Sequence, residues 1–456
     1  MATNWRSEPG WDVTGSGSSR AVALDVLLRV DRGAPSDRAL DRALRRSGLD
    51  ERDRRFTTEL VYGTLRRQAT LDRLLAPHSR RSLDELDPAV RLALRLAVYQ
   101  CRFLDSVPDH AAVDAAVESV KPHRPAAAGL VNGVLRAWLR SSNDEVDGAE
   151  LPPAKRLATS YDVPEWWAAR WEQAYGEVAA AQWLARTLEA APLVLRPHTR
   201  IKSIDQVRAG LAAEGVETVP AAHAGGALRV EAGNPLTTSL FNGGAFSLRG
   251  EASQIVPFLL HAEPGERVLD ACTGRGGKAI QCAEDKGEIS LLAADLQPWR
   301  AQACLRAARQ AGSPEVKVIA ADLSRPLPTR APFDRILLDA PCSGLGTVRR
   351  RPEVKWRVQE ADLQRLAALQ CRILHHCADA LAGGGMLLYV TCSTEREENE
   401  GVVEAVTSER PDLHRVPVKL APGLDPMLVG KDDYFRTYPL FPDLEGFFAA
   451  AIERRE

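Results

Sequence analysis

Arg267-Val268-Leu269-Asp270-Ala271-Cys272-Thr273-Gly274-Arg275-Gly276-Gly277-Lys278 is the stretch on which the fold turns. A strand-length run, Arg267 to Ala271, ends in a turn whose glycines permit a tight bend and close backbone approach at the mouth of a helix. Further strands are predicted at Ser290 to Ala294, Val316 to Ala320, Arg335 to Leu338 and Met386 to Val390, with helices between them such as Trp299 to Gln310 and Glu360 to Leu381. This β-α-β-α alternation predicts a doubly wound, mostly parallel, Rossmann-like sheet over residues 248–456. Ligands of such sheets bind beyond the carboxyl ends of the strands, so the residues closing each strand become the candidates.

Those ends are rich in chemistry. Asp295 closes the second strand, where a carboxylate can take two ribose hydroxyls, and Asp322 closes the third, placed to meet an adenine amino group. Taken singly, each is an ordinary strand-end carboxylate; in series behind a glycine turn they point to a nucleotide-type cosubstrate. A dinucleotide would set its pyrophosphate on the helix N-terminus. S-adenosylmethionine instead presents a carboxylate, which Lys278 can pair, and a positive end that suits the Asp side chains.

Two later strands end in thiols: Leu338-Asp339-Ala340-Pro341-Cys342-Ser343-Gly344 and Val390-Thr391-Cys392-Ser393-Thr394. Carbon 5 of cytosine is a poor nucleophile until a thiolate adds to carbon 6. The scheme requires an attacking thiolate, which Cys392 can supply, and a hydrogen-bond partner or acid at ring nitrogen 3, which Asp339 can supply. Cys342 is placed to assist release. Cys101, Cys282, Cys304, Cys371 and Cys377 read as small buried hydrophobes, and Cys272 as a lining residue of the turn.

Upstream, residues 20–140 read as an all-helical domain, with apolar residues at helical spacing in Arg20 to Val30, Phe56 to Leu65, Val90 to Cys101, His110 to Val120 and Ala126 to Leu139. Asp87-Pro88 reads as an N-cap followed by proline at the first helical position. Residues 1–19 read as a disordered leader and 141–155 as a linker. Residues 156–247 read as a small α+β module, with strands at Pro192 to Arg196 and Ala227 to Val230 and a helix near Ile204 to Glu214. The cluster Trp166, Trp167, Trp171 and Trp183 has two readings, core packing or base stacking, and core packing is the commoner.

Composition sets outer limits. The 456 residues are 45% hydrophobic and 26% charged with net charge −2, as in a soluble multidomain protein. Lys and Arg outnumber Asp and Glu by six between Arg20 and Arg140, a modest bias open to either a solvated surface or a phosphate backbone. The eight cysteines include no Cys-x-x-Cys pair, so no metal site is expected. The absence of an apolar leader run, together with cysteines read as reduced, fits the cytoplasm, and a monomer is expected. Arg349, Arg350, Arg351, Lys355 and Trp356 follow the Cys342 motif and read as phosphate contacts plus one stacking surface for RNA.

The motifs Asp-Ala-Pro-Cys-Ser-Gly and Thr-Cys-Ser, the glycine turn, Asp295, Asp322 and the closing Glu445-Gly446-Phe447-Phe448-Ala449-Ala450 together resemble the Sun (nucleolar-protein-type) family of RNA cytosine-5 methyltransferases. Glu59 to Leu65 and Gly129 to Arg136 resemble NusB. A NusB-like head on this catalytic body is similar to the bacterial members of that family that modify 16S ribosomal RNA. The resemblance implies that Cys392 attacks, that Cys342 releases, and that Cys272, Thr273, Gly274, Arg275, Gly276, Gly277, Lys278, Asp295, Asp322 and Asp339 contact S-adenosylmethionine. The expected substrate is free or partly assembled 16S rRNA. The family pattern at the turn is Cys-Ala-Ala-Pro-Gly-Gly-Lys; here Thr273 and Gly274 replace the alanines and Arg275 replaces proline, removing a φ restraint and adding a cation. Two other readings stay open: the same chemistry on tRNA, and a NusB-like assembly factor with an inactive transferase domain.

Overall fold

The computed structural model describes residues 18–141, 151–327, 329 and 331–456. Residues 1–17 of the expected leader and 142–150 of the expected linker lie outside them. The chain divides into two compact units: residues through Leu188 together with Arg350–Arg357, and Glu189–Arg349 together with Val358–Glu456.

The first unit is helical: α1 (Ser19–Asp31), α2 (Ser36–Arg46), α3 (Glu51–Arg66), α4 (Gln68–Leu75), α5 (Pro88–Phe103), α6 (Asp109–Val120), α7 (Ala128–Leu139), α8 (Pro153–Tyr161) and α9 (Glu165–Arg186). Its centre is α5, whose start is fixed as the sequence predicts: the Asp87 side chain accepts from Ala89 N at 2.9 Å and Pro88 opens the helix. Nearly all of α5 from Ala89 to Gln100 is buried, including Arg95, which is held by two 2.7 Å bonds to Asp72. Gly63 lets α3 cross close to it, since a Cβ there would lie 2.0 Å from the Tyr99 ring. Helices α2 and α4 escape the sequence reading because α2 buries only Ser36, Ala39 and Leu40 and α4 is short. Pro152 and Pro153 do not end a linker but begin α8. Its last residue is followed by the left-handed Asp162, whose carboxylate accepts from Thr70 N at 2.6 Å and Thr70 Oγ1 at 2.9 Å.

Trp167, Trp171 and Trp183 are buried, with Trp171 stacked on Trp183 at 4.3 Å and Trp167 edge-on to Trp183 at 5.9 Å. These rings are core. The helices at 153–186 belong to the first unit, so the expected module at 156–247 is divided between the two units.

The second unit holds two sheets. The smaller is antiparallel, β1 (Val194–Pro197), β2 (Glu217–Pro220), β3 (Leu228–Ala232) and β4 (Phe246–Leu248) in the order β2-β3-β1-β4. Its helix, Ile204–Ala213, opens with a Ser203/Gln206 capping box and buries Val207 and Leu211 against Leu195, Leu228 and Phe246. Within the unit, Arg196 pairs with Asp285 at 2.6 Å and His198 with Glu284 at 2.8 Å, joining this sheet to the larger one's first helix.

The larger sheet comprises β5 (Arg267–Ala271), β6 (Ser290–Asp295), β7 (Lys317–Ala320), β8 (Phe333–Asp339), β9 (Leu381–Thr391), β10 (Leu413–Val416), β11 (Phe435–Arg436) and β12 (Phe448–Arg454). The order is β10-β12-β9-β8-β5-β6-β7, with β11 paired to β12. Strands β5 to β9 are mutually parallel, whereas β10, β11 and β12 are antiparallel additions that the sequence reading did not separate from the closing motif. The chain steps from β5 outward to β6 and β7, then returns to β8 on the other side. That reversal opens a crevice at the carboxyl ends of β5 and β8.

Candidate active site

Register alone brings the predicted residues to one edge. Ala271 lies opposite Ala294 and Leu338, Asp295 opposite Ala320, and Asp339 opposite Val390. The 272–278 turn, Asp295, Asp322, Asp339, Cys342 and Cys392 therefore all follow or close parallel strands at the same end of the sheet.

The turn after β5 is held in an unusual backbone. Cys272 has φ 62° and Gly274 has φ 61°, both left-handed. Gly274, standing where the resembled family carries alanine, takes that conformation without steric cost. A Cβ at Gly274 would meet nothing within 4 Å, so this backbone faces open space, whereas one on Gly276 would sit 2.4 Å from Cys304 Sγ. Arg249, half-buried behind the turn with its guanidinium lowered to about 10 by desolvation, donates to Gly277 O at 2.7 Å and Gln281 Oε1 at 2.8 Å. The sequence reading did not single out Arg249. Arg275 is exposed.

The carboxylates differ in their surroundings. Asp295 is buried; it accepts from Gly274 N at 3.0 Å and Gln297 N at 2.8 Å. Asp322 is exposed and lowered by hydrogen bonds from Ser324, whose Oγ lies 2.6 Å away. Asp270 is buried, and desolvation raises it to about 7 in spite of the 2.8 Å bond from Thr273 Oγ1. Its Oδ1 is buried with no hydrogen-bond partner. Lys278 does not stand free for a ligand carboxylate as expected; its ammonium donates to Asp339 Oδ2 at 2.6 Å and lies 5.6 Å from the centre of the Phe447 ring. An orphaned buried carboxylate oxygen, two further carboxylates and an open glycine backbone fit a ligand with a positively charged end and a ribose. S-adenosylmethionine is such a ligand.

Cys342 and Cys392 are half-buried, with their sulfurs 3.3 Å apart. Cys342 is pushed well above the ordinary thiol value, first by its hydrogen bond with Cys392 and then by burial. Cys272 is likewise raised by burial and then by surrounding charge, so it keeps its proton and lines the turn. Cys101, Cys304 and Cys377 are raised to about 12, 11 and 12, mainly by desolvation.

The basic segment after Cys342 departs from the RNA surface expected of it. Arg349 turns inward, donating to Asp443 O and Ala190 O at 3.1 Å each. Lys355 is wholly buried, its Nζ bound to Arg66 O at 3.0 Å, and Trp356 Nε1 donates to Leu65 O at 3.1 Å. Lys355 therefore fills the core of the first unit and offers no phosphate contact, while the half-buried Trp356 is anchored there through its indole nitrogen. Arg350 and Arg351 are half-buried. Glu398, Gln370 and Asn399, polar side chains buried next to the thiols, were missed. Among the described residues no group of three or more His, Cys, Asp or Glu could hold a metal, and no helix is long and apolar enough to cross a membrane.

Three family profiles match the chain: 16S rRNA methyltransferase RsmB/F over residues 257–453, the NusB family over 17–140, and an RsmF/B-like ferredoxin-like domain over 163–237. The "Ribosomal RNA small subunit methyltransferase B" of Thermus thermophilus is 39% identical over 89% of this chain and 91% of its own. The "Probable ribosomal RNA small subunit methyltransferase B" of Bacillus subtilis is 33% identical over 96% and 99%. A solved structure titled "Crystal Structure of PH0851" superposes with a TM-score of 0.84 at 25% identity, covering 96% of this chain and all 100% of that one.

Proposed function

The chain belongs to the RsmB/F family of 16S rRNA methyltransferases, and from that premise we propose that it methylates carbon 5 of a cytosine in 16S rRNA through a transient bond between Cys392 and carbon 6 of the base. The observation that carries the reading is the 3.3 Å separation of Cys342 Sγ and Cys392 Sγ beside the glycine turn. A single buried thiol would be unremarked; two at contact distance, on loops following adjacent parallel strands, fit a pair with divided labour.

When bound, S-adenosylmethionine supplies an electrophilic methyl group. The 272–278 turn, Asp270, Asp295 and Asp322 are the residues that would hold it. Cys392 adds its sulfur to carbon 6, which makes carbon 5 electron-rich. Asp339, held by Lys278 through Oδ2, leaves Oδ1 to share a proton with ring nitrogen 3, which becomes more basic as the sulfur adds to carbon 6. Cys342 acts afterwards. The first cause of its raised value is the hydrogen bond with Cys392. Bonding of Cys392 to the base removes that cause, so the half-buried Cys342 passes its proton to solvent water more readily once attack has occurred. As a thiolate it takes the carbon 5 proton; the freed electron pair restores the ring double bond and expels the Cys392 sulfur. The target must be unpaired or flipped out for carbon 6 to be reached, and the half-buried Arg350 and Arg351 are the remaining candidates of their segment for phosphate contact.

The test uses purified protein, 16S rRNA and S-adenosylmethionine, with 5-methylcytidine measured by nucleoside mass spectrometry. Cys392→Ala is expected to give neither product nor a denaturation-resistant protein–RNA adduct. Cys342→Ala is expected to accumulate the adduct. A Cys342→Ala protein that turns over normally and traps nothing refutes the assigned roles.

A further inference from the structure

Six residues beyond Cys392 lies Glu398, a fully buried carboxylate with no cation paired to it among the described ion pairs. Burying such a charge costs several kcal/mol unless hydrogen bonds replace its hydration. The donors that do so come from both thiol loops. Ser343 N donates to Oε1 at 2.8 Å, and Ser393 Oγ to Oε2 at 2.5 Å. Ser343 directly follows Cys342, and Ser393 directly follows Cys392. Gln370 Nε2 adds a bond to Oε1 at 3.0 Å while also holding Pro341 O at 2.9 Å, on the residue before Cys342.

The carboxylate is itself held rigidly. Tyr389 OH donates to the Glu398 carbonyl at 2.6 Å. The next residue, Asn399, donates from Nδ2 to Ser393 O at 3.0 Å and to Tyr438 OH at 2.7 Å. Ser343 Oγ donates to Ser393 Oγ at 3.2 Å, and Gly346 N to Cys392 O at 3.0 Å. Within this network Glu398 is the one group that accepts from the neighbours of both cysteines. Each carboxylate oxygen serves a different loop, which a shorter or apolar side chain would not do.

We infer that Glu398 is a positioning residue whose buried carboxylate clamps the loops after β8 and β9 and so keeps Cys342 Sγ and Cys392 Sγ in contact. Its effect on turnover rests on the covalent reading above; the sulfur–sulfur spacing does not.

The experiment therefore has two readouts on the full-length protein. The first is oxidation by diamide, in which both thiols lose their protons, a Cys342–Cys392 S–S bond forms, and two electrons and two protons reduce the azo group to a hydrazine. Peptide mass spectrometry follows the rate. The second is steady-state methylation of 16S rRNA. For Glu398→Ala the expected result is crosslinking about tenfold slower and kcat about 100-fold lower, with KM for both substrates within about twofold. Glu398→Gln, whose amide oxygen still accepts from Ser343 N and Gln370, is expected to regain about tenfold of the lost kcat. If Glu398→Ala fails to fold, Glu398→Gln and Ser393→Ala carry the same comparison, each expected to slow both readouts. Folded variants that crosslink and turn over like the parent, or that lose activity wholly through KM, overturn the inference. A parent that forms no 5-methylcytidine overturns the proposed reaction instead, and the crosslinking rate still decides the role of Glu398.

Discussion

At the scale of single residues, burial shifts the proton affinity of several side chains around the site. Asp270 is the clearest case, raised from 3.8 to about 7 by desolvation. Between those values the folded chain holds a proton that the unfolded chain has lost, so its contribution to stability falls as pH rises from about 4 to 7 and stays low above. Asp270→Asn is therefore expected to raise the melting temperature of the ligand-free protein at pH 8, with a gain of at most about 4 kcal/mol, and to change little at pH 4. Thermal melts across that range check it, and a gain independent of pH would contradict the assignment. The same variant should weaken S-adenosylmethionine binding in calorimetry if the orphaned Oδ1 faces the cosubstrate. Cys342, Cys392, Asp295 and Asp339 were legible because each closes or follows a strand, where side chains of an α/β sheet reach a ligand. Glu398 was not. In Arg396-Glu397-Glu398 it looks like one more solvated charge, and its proximity to Cys392 was the only signal available. Arg249 hid in the same way, as an arginine in a loop between two short elements.

At the scale of elements, the loops after β8 and β9 also meet the segment before β12. Gly446 N donates to Gly346 O at 2.8 Å, and a Cβ on Gly346 would lie 1.9 Å from Gly446 O, a backbone atom that cannot rotate away. Gly346→Ala is thus expected to cost about 2 kcal/mol in denaturant unfolding and to reduce methylation by displacing the loop that carries Cys342. A variant with parental stability would show that these segments separate easily. The five parallel strands were readable from apolar runs spaced by helical stretches. The antiparallel β10 to β12 were not, since β11 spans only Phe435–Arg436 and β12 opens on five consecutive apolar residues, 448–452, without alternation. Helices α2 and α4 were missed for a related reason. Each buries only three residues, too few to set a helical period apart from a loop.

At the scale of the whole molecule, the segment Arg350–Arg357 shows the limit of reading charge as surface. Lys355 is lowered from 10.5 to about 7 by desolvation, which identifies a core lysine and not a phosphate ligand. Its burial penalty is fully present below pH 7 and fades as pH rises to about 10.5, so the fold gains stability at this site across that window. Lys355→Met is expected to stabilise the protein by up to about 4 kcal/mol at pH 6, less the cost of leaving Arg66 O unpaired, with the advantage shrinking toward pH 10. Unfolding at the two pH values measures this; a Met variant that is less stable at pH 6 would show that the ammonium is favourably paired. Local pattern alone carried the helical head, the mostly parallel character of the catalytic sheet and the thiols following its strands. Those properties follow from short-range periodicity and from the rule that places ligands beyond parallel strands. Only the tertiary structure brought two sulfurs 50 residues apart to 3.3 Å, buried Lys355 and Glu398, and turned Arg349 inward. Whether a charged side chain keeps its water depends on distant segments packing over it, and local sequence carries no record of which segments those are.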